Sequence, residues 1–219
     1  VIAREIERNL SGKGYTVSLV PMEKSDPAKE DRNGVIGLAV PVAGQGTYPF
    51  IWEFLSGLPR GDNTPCFLAD TLGMYSGGIV GPVKIIMKRK GYLPLGAMEF
   101  PMPNIFQKRE AGPDAERRLI DEAKASVDAF CDSLVLGRGR WKDIPVYSDF
   151  ISIFSRYRPL VALWKRLFPL RFDGDKCVRC GTCARLCPQR CIHLDGNGGP
   201  PARSSECVLC QRCFAFCPS

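Results

Sequence analysis

Two cysteine-rich runs near the end of the chain constrain its fold more than any other feature of the sequence. The first reads CVRCGTCARLCPQRC over residues 177–191, and the second reads CVLCQRCFAFCP over residues 207–218. In both runs three cysteines follow the spacing C-x2-C-x2-C, and a Cys-Pro pair follows after three more residues. Three thiolates at this spacing lie on one tight loop that can wrap one corner of a metal–sulfur cluster, so the fourth ligand must come from elsewhere.

The spacing favours iron–sulfur clusters over zinc. Zinc sites prefer two separated C-x2-C pairs or histidine partners. The chain has a single histidine, His193, which offers little for such a site. We therefore interpret the two runs as ligands of iron–sulfur clusters.

The doubled run resembles the two-cluster bacterial ferredoxins, with eight cysteines and both prolines, Pro188 and Pro218, in the expected places. In that family the fourth cysteine of each run binds the cluster of the other run. The resemblance implies that one [4Fe-4S] cluster is held by Cys177, Cys180, Cys183 and Cys217. It implies that the second [4Fe-4S] cluster is held by Cys207, Cys210, Cys213 and Cys187.

Three further cysteines stand outside these two ligand sets. Cys191 lies four residues after Cys187, where ferredoxins of this type usually have a small apolar residue such as alanine. We interpret Cys191 as a small buried side chain, with a spare cluster ligand as the alternative. Cys66 and Cys131 are isolated in apolar stretches.

The length of 219 residues, with 45% hydrophobic residues, allows one ordinary core and a small second domain. We predict a first domain over residues 1–140, a linker or docking segment over 141–170 and a ferredoxin-like domain over 171–219. The sequence has no run of eighteen apolar residues and no signal-peptide pattern. Free thiolate ligands fit a reducing cytoplasm, typical of an anaerobe.

The positive charge of the chain is concentrated around the cysteine runs. Residues 1–150 contain nineteen basic and nineteen acidic side chains, whereas residues 151–219 contain eleven basic and four acidic ones. Two oxidised clusters with their thiolates bring a charge of roughly −4, so a positive balance of about +3 remains. We therefore expect a redox partner with an acidic docking surface and no binding to nucleic acid, since no nucleic-acid motif is present.

The first 150 residues alternate between helix and strand patterns, which predicts a doubly wound α/β sheet. Helices are predicted over VIAREIERNL, TYPFIWEFLSGLP, GGIVGPVKIIMKRKG and GPDAERRLIDEAKASVDAFCDSLVLG. Strands are predicted over YTVSLV, GVIGLAVPV, PCFLADT and PLGAMEFPM. The last helix has proline and acids in its first turn and an apolar stripe that includes Ala123, Val127 and Phe130.

This part of the chain resembles flavodoxin, whose FMN lies at the carboxyl ends of the parallel strands. The segments AVPVAGQGTYPF and ADTLGMYSGG follow two buried strands and resemble the two loops around the flavin ring. The resemblance implies FMN contacts from Pro41, Val42, Ala43, Gly44, Gly46, Thr47 and Tyr48 in the first loop. It implies further contacts from Asp70, Thr71, Leu72, Gly73, Tyr75, Gly77 and Gly78 in the second. Tyr48 and Tyr75 are candidates for stacking on the ring, although Tyr48 could equally pack at the start of a helix.

One part of the flavodoxin pattern is missing. A flavodoxin begins with a strand and a Ser/Thr-Gly-rich loop that binds the FMN phosphate at a helix start, whereas this sequence begins inside that helix. That first strand is central in the 2-1-3-4-5 order, and its neighbours need it as a hydrogen-bonding partner. We therefore expect the natural protein to extend further at its amino end, and also beyond Ser219.

The segment between the two parts, ISIFSRYRPLVALWKRLFPLRF, is rich in aromatic and basic residues. We expect Phe154, Leu160, Trp164 and Leu167 to attach the ferredoxin part to the sheet. Arg156, Arg158, Lys165 and Arg166 are then expected to stay in water. Docking on a membrane surface or a partner is the alternative.

The whole chain resembles a family of anaerobic redox proteins in which a flavodoxin-like domain precedes a two-cluster ferredoxin. The resemblance implies an electron relay between two clusters, FMN and a larger redox enzyme. The alternative is an FMN-dependent reductase of a small substrate that uses the clusters as its electron inlet. Near the expected flavin loops only Asp70, Tyr48 and Tyr75 could supply a proton, and no catalytic residue is assigned. A third possibility is a subunit whose flavin site is empty.

Overall fold

The computed structural model describes residues 1–43, 46–73, 78–103, 108–142, 157–167, 171–196 and 199–219. The chain divides into two compact units, Val1–Arg156 and Tyr157–Ser219. The division falls inside the segment 141–170 that the sequence predicts to be a linker.

A parallel sheet of three strands forms the centre of the first unit. The strands are β1 (Ile36–Pro41), β2 (Pro65–Leu72) and β3 (Leu93–Pro101), and they lie side by side in that order. Their sequences are nearly continuous apolar runs, as expected for parallel strands that are covered on both faces. The structure thus confirms the mixed α/β class and three of the four predicted strands.

Four helices cover the two faces of this sheet: α1 (Ile2–Gly12), α2 (Pro49–Gly57), α3 (Val80–Arg89) and α4 (Lys108–Val135). Cys66 and Leu68 of β2 belong to the apolar core formed with α2 and α3. Phe67 and Ala69 belong to the core formed with α1 and α4. Successive side chains of a strand point to opposite faces, so this alternation places the two helix pairs on opposite sides of the sheet.

The helix α4 has an irregularity at Gly112, where φ is 73° and ψ is 164°. A φ in this region is easily adopted only by glycine, and Pro113 then fits the first turn of the regular helix that follows. Ala123, Val127 and Phe130 are buried against the sheet. The predicted helix start and its apolar stripe are therefore confirmed.

The prediction of a strand over Tyr15–Val20 is wrong. These residues form no strand, and Tyr15, Leu19 and Val20 are between 42% and 51% exposed. A strand needs a neighbour that shares its ladder hydrogen bonds, and within the described residues no strand pairs with this segment. Two 3-10 turns, Met22–Lys24 and Pro27–Lys29, follow it and lead to β1.

The second unit consists of short elements. They are the helices α5 (Arg158–Leu167), α6 (Thr182–Arg185) and α7 (Arg212–Ala215) and the strands β4 (Ile192–His193) and β5 (Ala202–Arg203). β4 and β5 are antiparallel, with Ile192 opposite Arg203. Each cysteine run contributes one four-residue helix, and α6 and α7 lie next to each other.

The segment predicted as a linker contributes to both units. The Trp141 side chain is buried in the first unit and donates a hydrogen bond of 2.8 Å to the carbonyl of Val80. Lys165 of α5 donates a hydrogen bond of 3.0 Å to the carbonyl of Ser205 in the second unit, and Leu167 is 61% exposed. Arg166 is exposed, as expected. The other residues predicted to dock or to stay in water lie outside the described side chains, namely Phe154, Arg156, Arg158, Leu160 and Trp164.

No helix in the described ranges is both long enough and apolar enough to cross a bilayer.

We predict that Phe130→Ala destabilises the first unit by about 3–5 kcal/mol, because it removes a buried aromatic ring from the core. The Phe130 ring makes edge contacts with Phe67 and Phe100 at centroid distances of 5.9 and 5.8 Å. Urea unfolding followed by circular dichroism measures the loss. Leu136→Ala, at a side chain that is 61% exposed, is the control and should change the free energy of unfolding by less than about 0.5 kcal/mol. Equal effects of the two changes would contradict the described core.

Candidate functional site

Four cysteines from the two runs line one concave site in the second unit. Cys187 of the first run lies there together with Cys207, Cys210 and Cys213 of the second. The site encloses about 320 Å³ of space between protein atoms, part of which is open to solvent. The remaining lining residues are Pro188, Gln189, Ile192, Val208, Leu209 and Gln211. The fold thus brings together the four cysteines that the ferredoxin resemblance assigns to one cluster.

The other predicted ligand set is only partly brought together. Cys177 and Cys180 lie close enough to Cys183 that their charges help raise the pKa of the Cys183 thiol, after the larger effect of its burial. Cys217 is exposed, and its Sγ lies 3.2 Å from the Ser219 hydroxyl. Among the described contacts none joins Cys217 to the first run, so its assignment as the fourth ligand stays a prediction.

The backbone of the two runs repeats the same unusual conformation. Arg179 and Leu209, at equivalent positions, have φ values of 55° and 53°. Gly181 and Gln211, directly before α6 and α7, have φ values of 71° and 57°. A non-glycine residue pays roughly 1–2 kcal/mol for this left-handed conformation, and such strain is concentrated at binding sites. Each loop therefore curves around its cysteines in the same way.

Polar contacts support the ligand loops. The guanidinium of Arg185 donates hydrogen bonds to the Cys180 carbonyl at 2.8 Å and to the Thr182 hydroxyl at 3.0 Å. The Thr182 hydroxyl also contacts the Cys180 sulfur at 3.3 Å, and this hydrogen bond lowers the pKa of Cys180. In the second run the backbone N–H of Leu209 donates to the Cys207 sulfur at 3.4 Å. Donors of this kind stabilise the thiolate form, which is the form that binds metal.

The burial of other thiols in the second unit has the opposite effect. Burial raises the pKa of Cys210, and it raises the pKa of Cys213 to about 11. A positive charge nearby favours the loss of these protons, and an iron–sulfur core would supply such a charge.

The residues that would hold a cluster in this cavity are four cysteines. In a [4Fe-4S] cluster each of four thiolates binds a different iron. The donor set therefore fits a [4Fe-4S] cluster.

Cys191 lies directly beside this cavity. It is 3% exposed, and its Sγ lies 3.4 Å from the Sγ of Cys187. Burial raises the pKa of the Cys191 thiol, with smaller contributions from neighbouring Cys187 and Cys207. Its burial agrees with the prediction of a small buried side chain.

In the first unit, the two predicted flavin loops begin at the same edge of the sheet, because parallel strands end on the same side. The backbone N–H of Val42 donates to the carbonyl of Thr71 at 2.8 Å, which joins the two loop starts. Ala43 and Gly46 close the first loop through two backbone hydrogen bonds of 2.8 and 3.1 Å. Pro41, Leu72 and Gly73 are half-buried, and Gly78 is buried. Three predicted contacts, Gly44, Tyr75 and Gly77, lie outside the described residues.

Thr47 and Tyr48 have clear structural roles at the start of α2. The Thr47 side chain is 2% exposed and donates a hydrogen bond of 2.9 Å to the carbonyl of Pro41. Tyr48 immediately precedes α2, and its ring lies parallel to that of Phe50 at a centroid distance of 6.0 Å. Tyr48 is half-buried and packs at the start of α2. This is the alternative to flavin stacking that the sequence left open.

Asp70 is the most unusual polar group at this edge of the sheet. Its side chain is fully buried, and neither carboxyl oxygen has a hydrogen-bond partner among the described residues. Burial, followed by the nearby charge of Glu99, raises the pKa of Asp70 to about 8. Glu99 was not predicted from the sequence as a site residue, although it lies beside Asp70 in the strand register. The signal was available, because each acid stands two residues before the end of its strand.

Comparison with known proteins adds information on the second unit. Residues 170–193 match the family model of the 4Fe-4S binding domain. This range covers the first cysteine run. The match supports the binding of a 4Fe-4S cluster by this part of the chain.

Several curated proteins are similar to a part of the chain. The chain is 34% identical over 55 residues to the pyruvate synthase subunit PorD of Methanocaldococcus jannaschii, which is 25% of this chain and 63% of that protein. It is 37% identical over 46 residues to a ferredoxin of Pyrobaculum islandicum, which is 21% of this chain and 43% of that protein. The matching segment of PorD of Pyrococcus furiosus is 49% identical over 35 residues, 16% of this chain and 33% of that protein.

The chain therefore spans less than two thirds of the length of each of these relatives. Together with the family match, they support iron–sulfur electron transfer as the chemistry of the second unit.

One solved structure, rubredoxin oxygen:oxidoreductase from the anaerobe Desulfovibrio gigas, overlaps 62% of this chain and 33% of its own. The sequence identity is 14% and the TM-score is 0.44. This overlap is too weak to assign a fold.

We predict that the free energy of unfolding of the first unit falls as the pH rises from about 4 to about 8. Asp70 keeps its proton up to a pKa of about 8 in the folded chain, whereas an exposed aspartate loses it near pH 4. The unfolded chain therefore binds fewer protons in this window, so the stability decreases with pH. Asp70→Asn should remove this part of the pH dependence. The loss of stability across the whole window is at most a few kcal/mol, at about 1.4 kcal/mol per pKa unit.

Urea unfolding at a series of pH values measures this slope. Asp114→Asn changes an exposed carboxyl group of α4 and should leave the slope of the wild-type chain in place. If the wild-type slope persisted unchanged in Asp70→Asn, a raised pKa of Asp70 would not be its source.

Proposed function

We propose that the protein is an electron carrier in which the second unit holds two [4Fe-4S] clusters and exchanges electrons with the first unit and with a larger redox enzyme. The observation that carries this proposal is the position of Cys187, a residue of the first run, in the cavity of Cys207, Cys210 and Cys213. If the first run bound only its own cluster, its fourth cysteine would not be expected in the cavity of the second run.

The repeated backbone of the two runs supports a second cluster. Arg179 and Gly181 adopt the same left-handed conformations as Leu209 and Gln211. The first loop is therefore shaped to hold a cluster in the same way as the second. By the crossed scheme, Cys177, Cys180 and Cys183 take Cys217 as their fourth ligand.

A bound [4Fe-4S] cluster supplies reversible one-electron redox chemistry. The residues of this chain set the conditions for that chemistry. Cys187 and the second run supply thiolates, while the Leu209 N–H and the Thr182 hydroxyl contact ligand sulfurs. Hydrogen bonds to ligand sulfurs and the degree of burial are the means by which a protein sets the reduction potential.

We further propose FMN as the redox group of the first unit, held at the carboxyl edge of the sheet. Bound FMN accepts two electrons in separate one-electron steps. The loops that start at Val42 and Thr71 lie side by side there, and Gly46 and Gly78 have no side chain that would keep a flat ring away from the backbone. These two loops would contact the flavin ring. Neither contains the Ser/Thr-rich sequence that would bind the FMN phosphate.

The buried Asp70 favours a second candidate function, an FMN-dependent reductase of a small substrate. A carboxyl group that keeps its proton near neutral pH can act as a general acid, and Asp70 lies at the edge where substrates of α/β proteins bind. Turnover of small electron acceptors separates the two functions. Asp70→Asn should abolish proton-dependent turnover by a reductase and leave single electron transfer between the units unchanged.

The surface of the second unit suits an acidic protein partner. Exposed apolar side chains include Val178, Phe214 and Phe216, which are 64%, 56% and 63% exposed. The exposed basic residues Arg179 and Arg190 lie in the same unit. Transient redox contacts are small and rely on complementary charge for fast association. Two of the relatives are subunits of pyruvate synthase, and we propose an enzyme of this kind as the partner.

We predict that anaerobically reconstituted protein binds about eight irons, arranged as two clusters of four. Cys217→Ala should disturb the cluster of the distant Cys177 run, and Cys187→Ala should disturb the cluster of the Cys207 run. Iron analysis and EPR spectroscopy of the reduced variants measure the loss. Cys66→Ala, at a buried thiol of the first unit, is the control and should retain all the iron.

Two results would overturn this assignment. If Cys217→Ala affected only the cluster of its own run, the ligands would not be crossed. If the wild-type protein bound about four irons or none, the proposal of two clusters would fail.

We predict that electron transfer from the reduced clusters depends on the charge of a soluble acceptor. The anion ferricyanide should react faster at low salt, and its rate should fall towards 0.5 M salt, where the Debye length is about 4 Å. The cation hexaamminecobalt(III) should show the opposite trend. Stopped-flow absorbance measures both rates.

Arg179→Glu should weaken the salt dependence of the ferricyanide reaction. Arg118→Glu, the same change at an exposed position of α4 in the first unit, is the control and should have little effect. If the rates with both acceptors did not depend on the salt concentration, this would argue against a basic docking surface.

A further inference from the structure

The fifth thiol of the first run has a defined position next to the cysteines of one cavity. The Sγ atoms of Cys191 and Cys187 are 3.4 Å apart, and Cys191 is 3% exposed. This distance lies within hydrogen-bonding range for two sulfurs. Cys207, a second cysteine of the same cavity, also interacts with the Cys191 thiol. A small apolar side chain would fill the same space without either interaction.

The backbone fixes this position from both sides. A turn from Cys187 to Arg190 is closed by a hydrogen bond of 3.1 Å from the Arg190 N–H to the Cys187 carbonyl. Arg190 adopts a left-handed conformation with φ of 50° and turns the chain back towards Cys187. After Cys191, its carbonyl accepts a hydrogen bond of 2.9 Å from the Ser204 N–H beside the β4–β5 pair. These two hydrogen bonds hold the backbone of Cys191 beside Cys187, and the buried side chain places its sulfur next to the Cys187 sulfur.

The direction of the hydrogen bond follows from metal binding. A cysteine that binds iron does so as a thiolate, so its sulfur has no proton and can only accept. Cys191 is then the donor, whether it donates to Cys187 or to Cys207. Both acceptors belong to the same predicted ligand set, and one donor thus acts on one cluster.

We propose that Cys191 donates an S–H hydrogen bond to a cluster-bound sulfur of Cys187 or Cys207 and thereby raises the reduction potential of that cluster alone. The inference rests on the proposed function, because it requires a cluster in the cavity. Reduction places additional negative charge on the ligand sulfurs, so a donor stabilises the reduced form more than the oxidised form. Cys191 is in this account a tuning residue, and it binds no iron.

The effect is tested on three variants of the whole chain reconstituted without oxygen. Cys191→Ala removes the donor, Cys191→Ser keeps a donor of similar size, and Cys131→Ala removes a buried thiol of the first unit as the control. Iron analysis gives the number of clusters, and an EPR-monitored redox titration gives the two reduction steps. Infrared spectroscopy follows the S–H stretch, a vibration that is lost with the thiol.

We expect Cys191→Ala to keep the iron content of the wild-type protein. At a fixed potential, the ratio of reduced to oxidised cluster should fall by up to about tenfold for one of the two steps, which corresponds to about 59 mV for one electron. Cys191→Ser should lie close to the wild type, and Cys131→Ala should match it. The S–H band that disappears in Cys191→Ala should shift when the wild-type clusters are reduced.

Three results would overturn the inference. Unchanged potentials in Cys191→Ala would exclude a tuning role, and equal potentials in the Ala and Ser variants would assign any shift to packing. A loss of iron in Cys191→Ala would make Cys191 a ligand. A wild-type protein that binds no iron would instead refute the proposed function, so the two failures are distinguishable.

Discussion

In the proposed function, the bonds between thiolates and metal are the interaction on which the second unit depends. Its helices α6 and α7 have four residues each, and its two strands have two residues each. Among its described residues, the buried apolar side chains are those of Cys191, Ile192 and Pro201. Such a core cannot offset the entropy of ordering about sixty residues. The free energy of metal binding is then also free energy of folding, as in other small metal-binding domains.

The strained backbone of the cysteine runs has the same origin. Arg179 and Leu209 adopt left-handed conformations that non-glycine residues avoid. No side-chain packing in the described part of this unit is extensive enough to impose them. Thiolates fixed on one cluster would hold the loops in this form, and the loops in turn direct backbone N–H groups such as that of Leu209 towards sulfur.

The first unit is held together in the opposite way. Its sheet is covered by apolar cores on both faces, and the burial of these side chains stabilises it. Against that background Asp70 is an exception, because its carboxyl group is buried without a partner in the described structure. An unpaired buried carboxyl group is unfavourable for stability, and its position at the carboxyl edge of the sheet is where a parallel α/β fold binds ligands. The buried carboxyl group therefore lowers the stability of the first unit at this end of its sheet.

The sequence was sufficient for features that depend on local pattern. The apolar runs predict β1, β2 and β3, and the spacing of Ala123, Val127 and Phe130 predicts the buried side of α4. The pattern failed at Tyr15–Val20, where a β-like composition lacks a neighbouring strand, because strand pairing is not a local property. The isolation of Asp70 and the contact between Cys191 and Cys187 could not be predicted either. Both depend on the distance between atoms that only the folded chain brings together.

The most direct test of two clusters with crossed ligands is a crystal structure of the anaerobic protein, with an anomalous difference map measured at the iron absorption edge. The account predicts two separate groups of four iron peaks. One group should be bound by Cys187 together with the second run, and the other by Cys217 together with the first. A single metal peak in either site would contradict the account, as would Cys187 bound to the same group as Cys177.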